Sequence, residues 1–549
     1  MCGIGITIKT ISPSCSEITG HMNPEETGDN RNHESSSIED SIWRSISPRG
    51  PDFRQRTSRV ISSQSNQADF EINFFVSVLH LRGLTLTQQP IRASETGNLL
   101  LWNGEISDVE NDGQAVLYAL ENRGNRTIPG VFLGIEGPYA FIYHDVSLNQ
   151  IWFGRDPLGR RSLMRLEEGD SSQRSTISLA SHYDGQATLR SSELATDSFF
   201  YVDLNNAESL HHRDTSRSPP IILNRQIPLS EHFAPETTSQ HIHPLPVCCF
   251  SCPICHVQRS QLISVICSLS SRTDAHDSKV AILFSGGLDC TTLALLAHSH
   301  IPLTESIDLV NVAFENTRAA ANSKRNNNQT ANPDVFSVPD RRTGEESWKE
   351  LCQLTPGRIW KFVKVDVRIV DYLKYKDQIM ELMWPNDTVM DLSIAAALFF
   401  AAWGIGSCRL NPIRMNASHP ILAQLESFIR LELQLDIDRI PTRNLGRDDR
   451  IIAHHGREVR YPFLDRDVIL FLANLPVHLK CDLALKKGTG DKLLLRVLAQ
   501  ELGLSQASKL VKRAIQFGAR SAKLEGLEKG TAQVRLNGLP SSTTHVDTP

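Results

Sequence analysis

Cys2 is the first residue whose chemistry stands out. The small side chain at position 2 permits removal of the initiator Met1, which would leave Cys2 with a free α-amine beside its thiol. The thiolate is the nucleophile. An α-amine titrating near about 8 keeps a useful neutral fraction at cellular pH and can serve as its base. A second group is Ser285-Gly286-Gly287-Leu288-Asp289-Cys290-Thr291, set between a strand-like run and a helix-like run. Glycines there let backbone N–H groups close on a phosphate, and the N-terminus of the following helix favours negative charge. Asp289 is suited to help hold Mg2+ on such phosphates. No Lys follows the glycines, so this is not a GxxxxGK[ST] loop. A third group, Cys249, Cys252, Cys255 and His256 after His241 and His243, has zinc-ligand spacing. It lies in a low-complexity stretch with no second Cys-x-x-Cys, and a linker with unrelated cysteines is the simpler reading.

The elements that must position these groups fall into two regions. The chain has 549 residues, too many for one compact core. Residues 3–8 alternate as a strand, and residues 10–42, rich in Ser, Asn and Glu, read as a flexible insertion. Short apolar runs at Phe74–Leu81, Leu99–Trp102, Tyr139–Tyr143 and Ile151–Phe153 predict a strand-rich first region, residues 2–205. Residues 206–260 read as a linker. From 261 to 525 the order is helix, strand (Val280–Phe284), Gly-rich turn, helix (Thr291–Ala297) and strand (Asp308–Phe314), a parallel α/β pattern. Further helices are expected over Thr388–Ala402, Ile421–Asp438 and Lys492–Leu502, and residues 526–549 as a disordered tail.

Composition narrows the function. A net charge of −5 gives no reason to expect nucleic acid as a partner. No apolar run reaches the roughly 18–20 residues of a bilayer span, and the first residues lack the pattern of a secretory signal. Eleven cysteines, four of them crowded into 248–255, do not make a disulfide framework. The expectation is a cytoplasmic protein in a reducing compartment.

Around Cys2 the chain resembles the class II glutamine amidotransferases. The matching pieces are Met1-Cys2-Gly3-Ile4, Arg49-Gly50-Pro51-Asp52, Leu81-Arg82-Gly83-Leu84, Gln89-Pro90, Asn103-Gly104-Glu105-Ile106, Asp112 before an apolar helix, and Arg155-Asp156-Pro157-Leu158-Gly159-Arg160. Each alone is a plausible turn; their order behind Cys2 is not. The resemblance implies an αββα N-terminal-nucleophile sandwich in which Cys2 attacks the glutamine side-chain amide, forming a thioester and releasing ammonia. Asn103 and the Gly104 N–H would form the oxyanion hole. Arg82 would pair with the substrate α-carboxylate, and Glu105 and Asp112 would hold its α-ammonium. Arg49 and Asp52 would be structural.

The Gly-rich loop resembles the Ser-Gly-Gly-x-Asp-Ser pyrophosphate loop of ATP-pyrophosphatases, with Cys290 where Ser is usual. That makes the second region an ATP-pyrophosphatase-like parallel α/β domain. Ser285, Gly286, Gly287, Asp289 and Cys290 would bind pyrophosphate, Val312 and Phe314 would flank the adenine, and Lys492 would contact phosphates. Arg460-Tyr461-Pro462-Phe463-Leu464-Asp465 and Lys512-Arg513-Ala514-Ile515-Gln516-Phe517-Gly518 resemble signatures of the asparagine synthetase family, and the blocks Val335–Thr343, Thr388–Gly406 and Arg443–Gly518 most resemble its asparagine synthetase domain-containing subgroup. The implied substrates are glutamine, ATP with Mg2+, and aspartate, amidated through aspartyl-AMP.

One segment departs from the family. After Gly404-Ile405-Gly406 a strand with a Gly-rich Asp-Glu pair is expected. Ser407-Cys408-Arg409-Leu410-Asn411-Pro412 stands there instead. Its loss would remove carboxylates from the synthetase site and a central strand from the sheet. The alternative is therefore a glutaminase-like or non-catalytic scaffold with a degenerate synthetase region. A β-lactam synthetase-like enzyme is disfavoured, because that group dispenses with the nucleophilic Cys.

Overall fold

The computed structural model describes residues 2–11, 37–62, 69–81, 85–106, 109, 111–168, 176–183, 189–205, 213–214, 278, 280–316, 334–409, 437, 439–475, 477–482, 485–524 and 536. The expected linker except Arg213–Asp214, which form a strand, the 249–256 cysteine group, Arg82, and the helix expected over 421–438 except position 437 lie outside the described residues. So do most of the proposed insertion, 12–36, and the expected tail except Leu536, whose N–H donates to the Asp387 carbonyl at 2.9 Å and which is therefore ordered rather than disordered.

Strand β1 (Cys2–Ile11) shows why the first region folds as it does. Ile4, Ile6 and Ile8 alternate onto one face and are fully buried. Gly3 and Gly5 occupy the other face, where a Cβ at Gly3 would sit 2.7 Å from the Ile46 carbonyl and one at Gly5 2.8 Å from Ile42 Cγ2. Those glycines let helix α1 (Ile38–Ile46) lie directly on the sheet. Its N-cap, Ser37, accepts from the Asp40 N–H, and its buried Ile42 and Ile46 are four residues apart. The sequence reading assigned 10–42 to a flexible insertion; the strand in fact continues to Ile11 and the helix begins at Ile38.

β1 belongs to a six-stranded sheet of order β10-β8-β9-β1-β3-β2. Its members are β2 (Phe53–Ser62), β3 (Asp69–Val78), β8 (Met164–Glu168), β9 (Thr176–Ala180) and β10 (Leu189–Glu193). A second six-stranded sheet has the order β12-β11-β7-β6-β5-β4. It is built from β4 (Ile91–Arg92), β5 (Leu99–Gly104), β6 (Tyr139–Asp145), β7 (Gln150–Arg155), β11 (Phe200–Asp203) and β12 (Arg213–Asp214). The sheets share one core, in which Ile4, Ile6 and Phe74 of the first meet Leu101, Ile142 and Phe153 of the second. Helices α2 (Asp112–Glu121) and α3 (Ile128–Phe132) cover the outer face of the second sheet through Leu117, Leu120 and Phe132. The layers are helix, sheet, sheet, helix.

A third, four-stranded sheet lies in the C-terminal half, ordered β13 (Val280–Leu283), β14 (Ile307–Phe314), β15 (Trp360–Val367) and β16 (Ser407–Arg409). The first three are parallel. β14 is buried on both faces: Ile307 and Leu309 join a core with helix α4 (Leu288–His298), while Val310, Val312 and Phe314 join one with helices Ile369–Met383 and Val389–Trp403. β16 is antiparallel to β15, on the side away from β13. Among the described residues β13 is thus paired on one side only, and its Leu283 is 40% exposed. No helix of the described residues is long and apolar enough to cross a membrane.

Candidate active site

Cys2 opens β1 opposite Val78 of β3 and is only 8% exposed. Its backbone N–H donates to Asn103 Oδ1 at 3.0 Å. That bond fixes the orientation of the Asn103 amide, since only the oxygen can accept. The other end, Nδ2, is buried with no hydrogen-bond partner among the described residues. An orphaned donor on the residue that holds the nucleophile is the feature an oxyanion hole requires.

Gln89 completes the arrangement. Its Oε1 accepts from the Trp102 N–H at 2.8 Å and its Nε2 donates to the Trp102 carbonyl at 2.9 Å, so the side chain acts as a short strand on the edge of β5. The same Nε2 lies 3.3 Å from Cys2 Sγ. Backbone direction alternates along a strand, so the Gly104 N–H faces the same edge as that of Trp102. Position 104 must be glycine, because a Cβ would come within 2.5 Å of the Trp102 ring and 2.8 Å of Tyr139 Cβ.

The pocket at Cys2 is lined by Leu79, Gln89, Trp102, Gly104, Glu105 and Asp112, and also by Glu458 and Arg460. Asp112 Oδ2 accepts from Trp102 Nε1 at 3.1 Å, and Asn111 caps α2 beside it. Burial pushes the Cys2 thiol up from its ordinary value, and the carboxylates of Asp112 and Glu458 push in the same direction. A thiol so placed needs a base to be reactive.

Arg460 opens the Arg-Tyr-Pro-Phe-Leu-Asp signature, and Glu458 stands two residues before it. Arg460 pairs with Glu105 at 2.5 Å and with Glu458 at 3.1 Å. Residues two apart on an extended segment point to one side, so the Glu-x-Arg spacing was the available signal. The segment is held by the Arg-Asp-Pro-Leu-Gly-Arg-Arg run: Arg161 donates to the Val459 carbonyl at 3.0 Å and Arg160 to that of Leu464 at 3.1 Å. Glu105, expected to hold a substrate ammonium, is therefore engaged by a protein guanidinium. Arg49 pairs with the buried Asp449 at 2.7 Å, and Asp52 accepts from the His80 N–H at 2.7 Å, both structural contacts.

The Gly-rich loop connects β13 to α4. Gly286 has φ +77°, and a Cβ there would lie 2.4 Å from the Thr343 carbonyl. Gly287 is the N-cap of α4 and offers no side chain to its N–H groups. The Gly287 N–H lies 3.3 Å from Ser285 Oγ, and the Cys290 thiol donates to the Gly287 carbonyl at 3.3 Å. Lys492 forms an ion pair with Asp289. An uncapped helix start, a glycine cradle and a facing Lys fit a pyrophosphate group, and one carboxylate is what Mg2+ needs when phosphates supply other ligands. Among the described residues no cluster of three His, Cys, Asp or Glu could hold a metal by itself. The Val312 side chain is 4% exposed and faces the helix core, so any contact with a base would use its backbone.

The Asparagine synthase family profile matches residues 342–518. Asparagine synthetase domain-containing protein 1 of Bos taurus is 31% identical, over 90% of this chain and 94% of that protein. The Homo sapiens protein of that name is also 31% identical, with the same coverage. Asparagine synthetase domain-containing protein YML096W of Saccharomyces cerevisiae is 32% identical over 93% of this chain and 94% of its own length. Among solved structures, the B. subtilis glutamine phosphoribosylpyrophosphate amidotransferase covers 56% of this chain and 65% of its own at 14% identity, with a TM-score of 0.25, too low to bear on the fold. The identity and its extent decide the matter: this chain belongs to the family of asparagine synthetase domain-containing protein 1.

Proposed function

We propose that the chain is a glutamine-dependent amidotransferase of the asparagine synthetase type, with a glutaminase region over 2–205 and an ATP-pyrophosphatase-like region over 261–525. The observation that carries this reading is the Asn103 amide, tied to the Cys2 N–H by Oδ1 and left with an orphaned Nδ2. Removal of Met1 would free the Cys2 amine as base. The thiolate then adds to the glutamine amide carbon, Asn103 and the Gly104 N–H stabilise the oxyanion, and ammonia departs to leave a thioester that water opens. Asp112, Glu105 and Arg82 would orient the amino-acid end. In the C-terminal region the Ser285–Cys290 loop and Lys492 would bind the phosphates of ATP, with Mg2+ at Asp289. A carboxylate substrate, aspartate by analogy with the family, would be adenylated and amidated there.

Two observations favour a second reading, a glutaminase-like or non-catalytic scaffold. Ser407–Arg409, directly after Gly406, pair antiparallel with β15 at the sheet edge of the described residues, and no Asp-Glu pair follows in the sequence up to residue 440. The alignment with the Bos taurus protein spans 614 positions, more than the 549 residues of this chain, so that relative carries segments this chain lacks. The test is AMP release from ATP with Mg2+ and ammonia, with and without aspartate. Aspartate-dependent AMP supports synthesis. Glutamine hydrolysis without AMP supports the second reading, and neither activity overturns the first. Cys2→Ala should abolish use of glutamine and spare use of ammonia; loss of both would contradict separate sites.

A further inference from the structure

We propose that Arg460 and Glu458 form a cation-exchange latch on the Cys2 pocket, opened by the α-ammonium of the amino acid that binds there; this rests on the glutaminase reading above. One Arg460 nitrogen lies 2.5 Å from Glu105 and 3.1 Å from Glu458. All three side chains are nearly buried, at 14%, 10% and 8% exposure for Arg460, Glu105 and Glu458. Both carboxylates thus face the same guanidinium nitrogen. Two adjacent buried carboxylates need a cation between them, because like charges at such range repel strongly. Arg460 supplies it to both carboxylates, and Arg161 lies 3.6 Å from Glu458 as well.

An α-ammonium is a compact cation with three donors and can take the same place. Its arrival exchanges one positive charge for another, so the pair stays neutralised while Arg460 is released. Arg460 does not move alone. It sits on the segment whose Val459 and Leu464 carbonyls are held by Arg161 and Arg160, and beyond that segment Asp465 caps the helix Arg466–Asn474. Occupancy of the Cys2 pocket is thereby converted into a displacement of a C-terminal segment. Glu458 is correspondingly a specificity-determining residue for the α-ammonium, contributed from outside the first 205 residues.

The test uses the full chain carrying Cys2→Ala, so that ligand is not consumed, and two probes: glutamine and 4-carbamoylbutanoate, which is glutamine without its α-amine. Calorimetry gives the dissociation constant of each. Arg460→Gln removes the competing cation, so the preference for glutamine over 4-carbamoylbutanoate should rise by about tenfold or more. Glu458→Gln should lower that preference by about fivefold or more. An unchanged or reduced preference in Arg460→Gln overturns the latch while leaving the glutaminase reading intact; failure of the parent protein to bind either probe overturns both. Should Arg460→Gln not fold, hydrogen exchange on the parent decides. Glutamine, and not 4-carbamoylbutanoate, should speed exchange across 459–465, and equal exchange with both probes overturns the proposal.

Discussion

Asn103→Ala is the sharpest test of the Cys2 site. The substitution removes two things: the acceptor of the Cys2 N–H and the partnerless Nδ2 donor. Leaving a buried N–H without its acceptor costs about 1–3 kcal/mol of stability. The catalytic loss is separate. Nδ2 is buried without a partner in the resting protein, so its desolvation is already part of the folded state and an oxyanion gains the whole of its hydrogen bond. Loss of one such donor is worth roughly 2.7–4 kcal/mol in the transition state, or about 10²–10³ in kcat. The assay is ammonia release from glutamine at saturating substrate, beside ammonia-dependent AMP release as a control for folding. The expected result is a kcat lower by about two to three decades with an AMP rate close to wild type. A kcat within about threefold of wild type, in a folded protein, would refute the oxyanion assignment.

Other substitutions probe the rest of the site. Gly286→Ala places a Cβ 2.4 Å from the Thr343 carbonyl at a φ of +77°, so nucleotide binding should be lost in calorimetry while glutamine hydrolysis persists. Asp449→Ala strips the buried partner of Arg49 and the acceptor of the Ser162 N–H, and should cost about 3–5 kcal/mol in urea unfolding. Asp340 offers a pH test. Burial raises its carboxyl to about 6 from an ordinary 3.8. The folded state then holds the proton more tightly than the unfolded chain, so stability falls as pH rises between those values, by up to about 3 kcal/mol. Asp340→Asn should remove that slope and gain on wild type in melting temperature from pH about 4 to about 8; a pH-independent difference would contradict the assignment.

The legible parts of the fold were those whose burial leaves a local pattern. Leu99–Gly104 and Tyr139–Asp145 are buried on both faces, between the shared core and the helices, and read as continuous apolar runs. β2 was missed because Phe53–Ser62 carries three Arg and a Gln on a largely exposed edge strand, where no apolar alternation is needed. The helix over Ile38–Ile46 was hidden behind polar residues that look like insertion, since only every fourth residue or so meets the sheet. At the site, Asn103, Gly104 and Asp112 were legible because each sits in a short motif near the β5 turn. Gln89 was seen only as half of a Gln-Pro pair, and its bridge from Trp102 to Cys2 depends on contacts across two sheets. Lys492 was placed by motif alone, and its pairing with Asp289 is the contact that motif could not specify.

Arg460 escaped for a related reason, and the cause lies in how the two halves meet. Their interface buries the guanidiniums of Arg49, Arg155, Arg161 and Arg450 with the carboxylates of Glu193, Asp449 and Glu458. These partners cross between halves: Arg49 reaches Asp449, Arg450 reaches Glu193, and Arg161 reaches Glu458 at 3.6 Å. Parting the halves would strand charges that are each costly to leave unpaired. Such an interface does little for net stability compared with an apolar one, but it fixes position, because a guanidinium fork tolerates few geometries. That positioning is what carries Glu458 and Arg460 to the Cys2 pocket. A glutaminase region expressed without residues 446–465 should therefore lack both the neutralising partner of Glu105 and the order of its own Arg155–Ser162 loop. Its pocket would be a different site from the one in the whole chain, with altered selectivity for the α-ammonium as well as a lower rate.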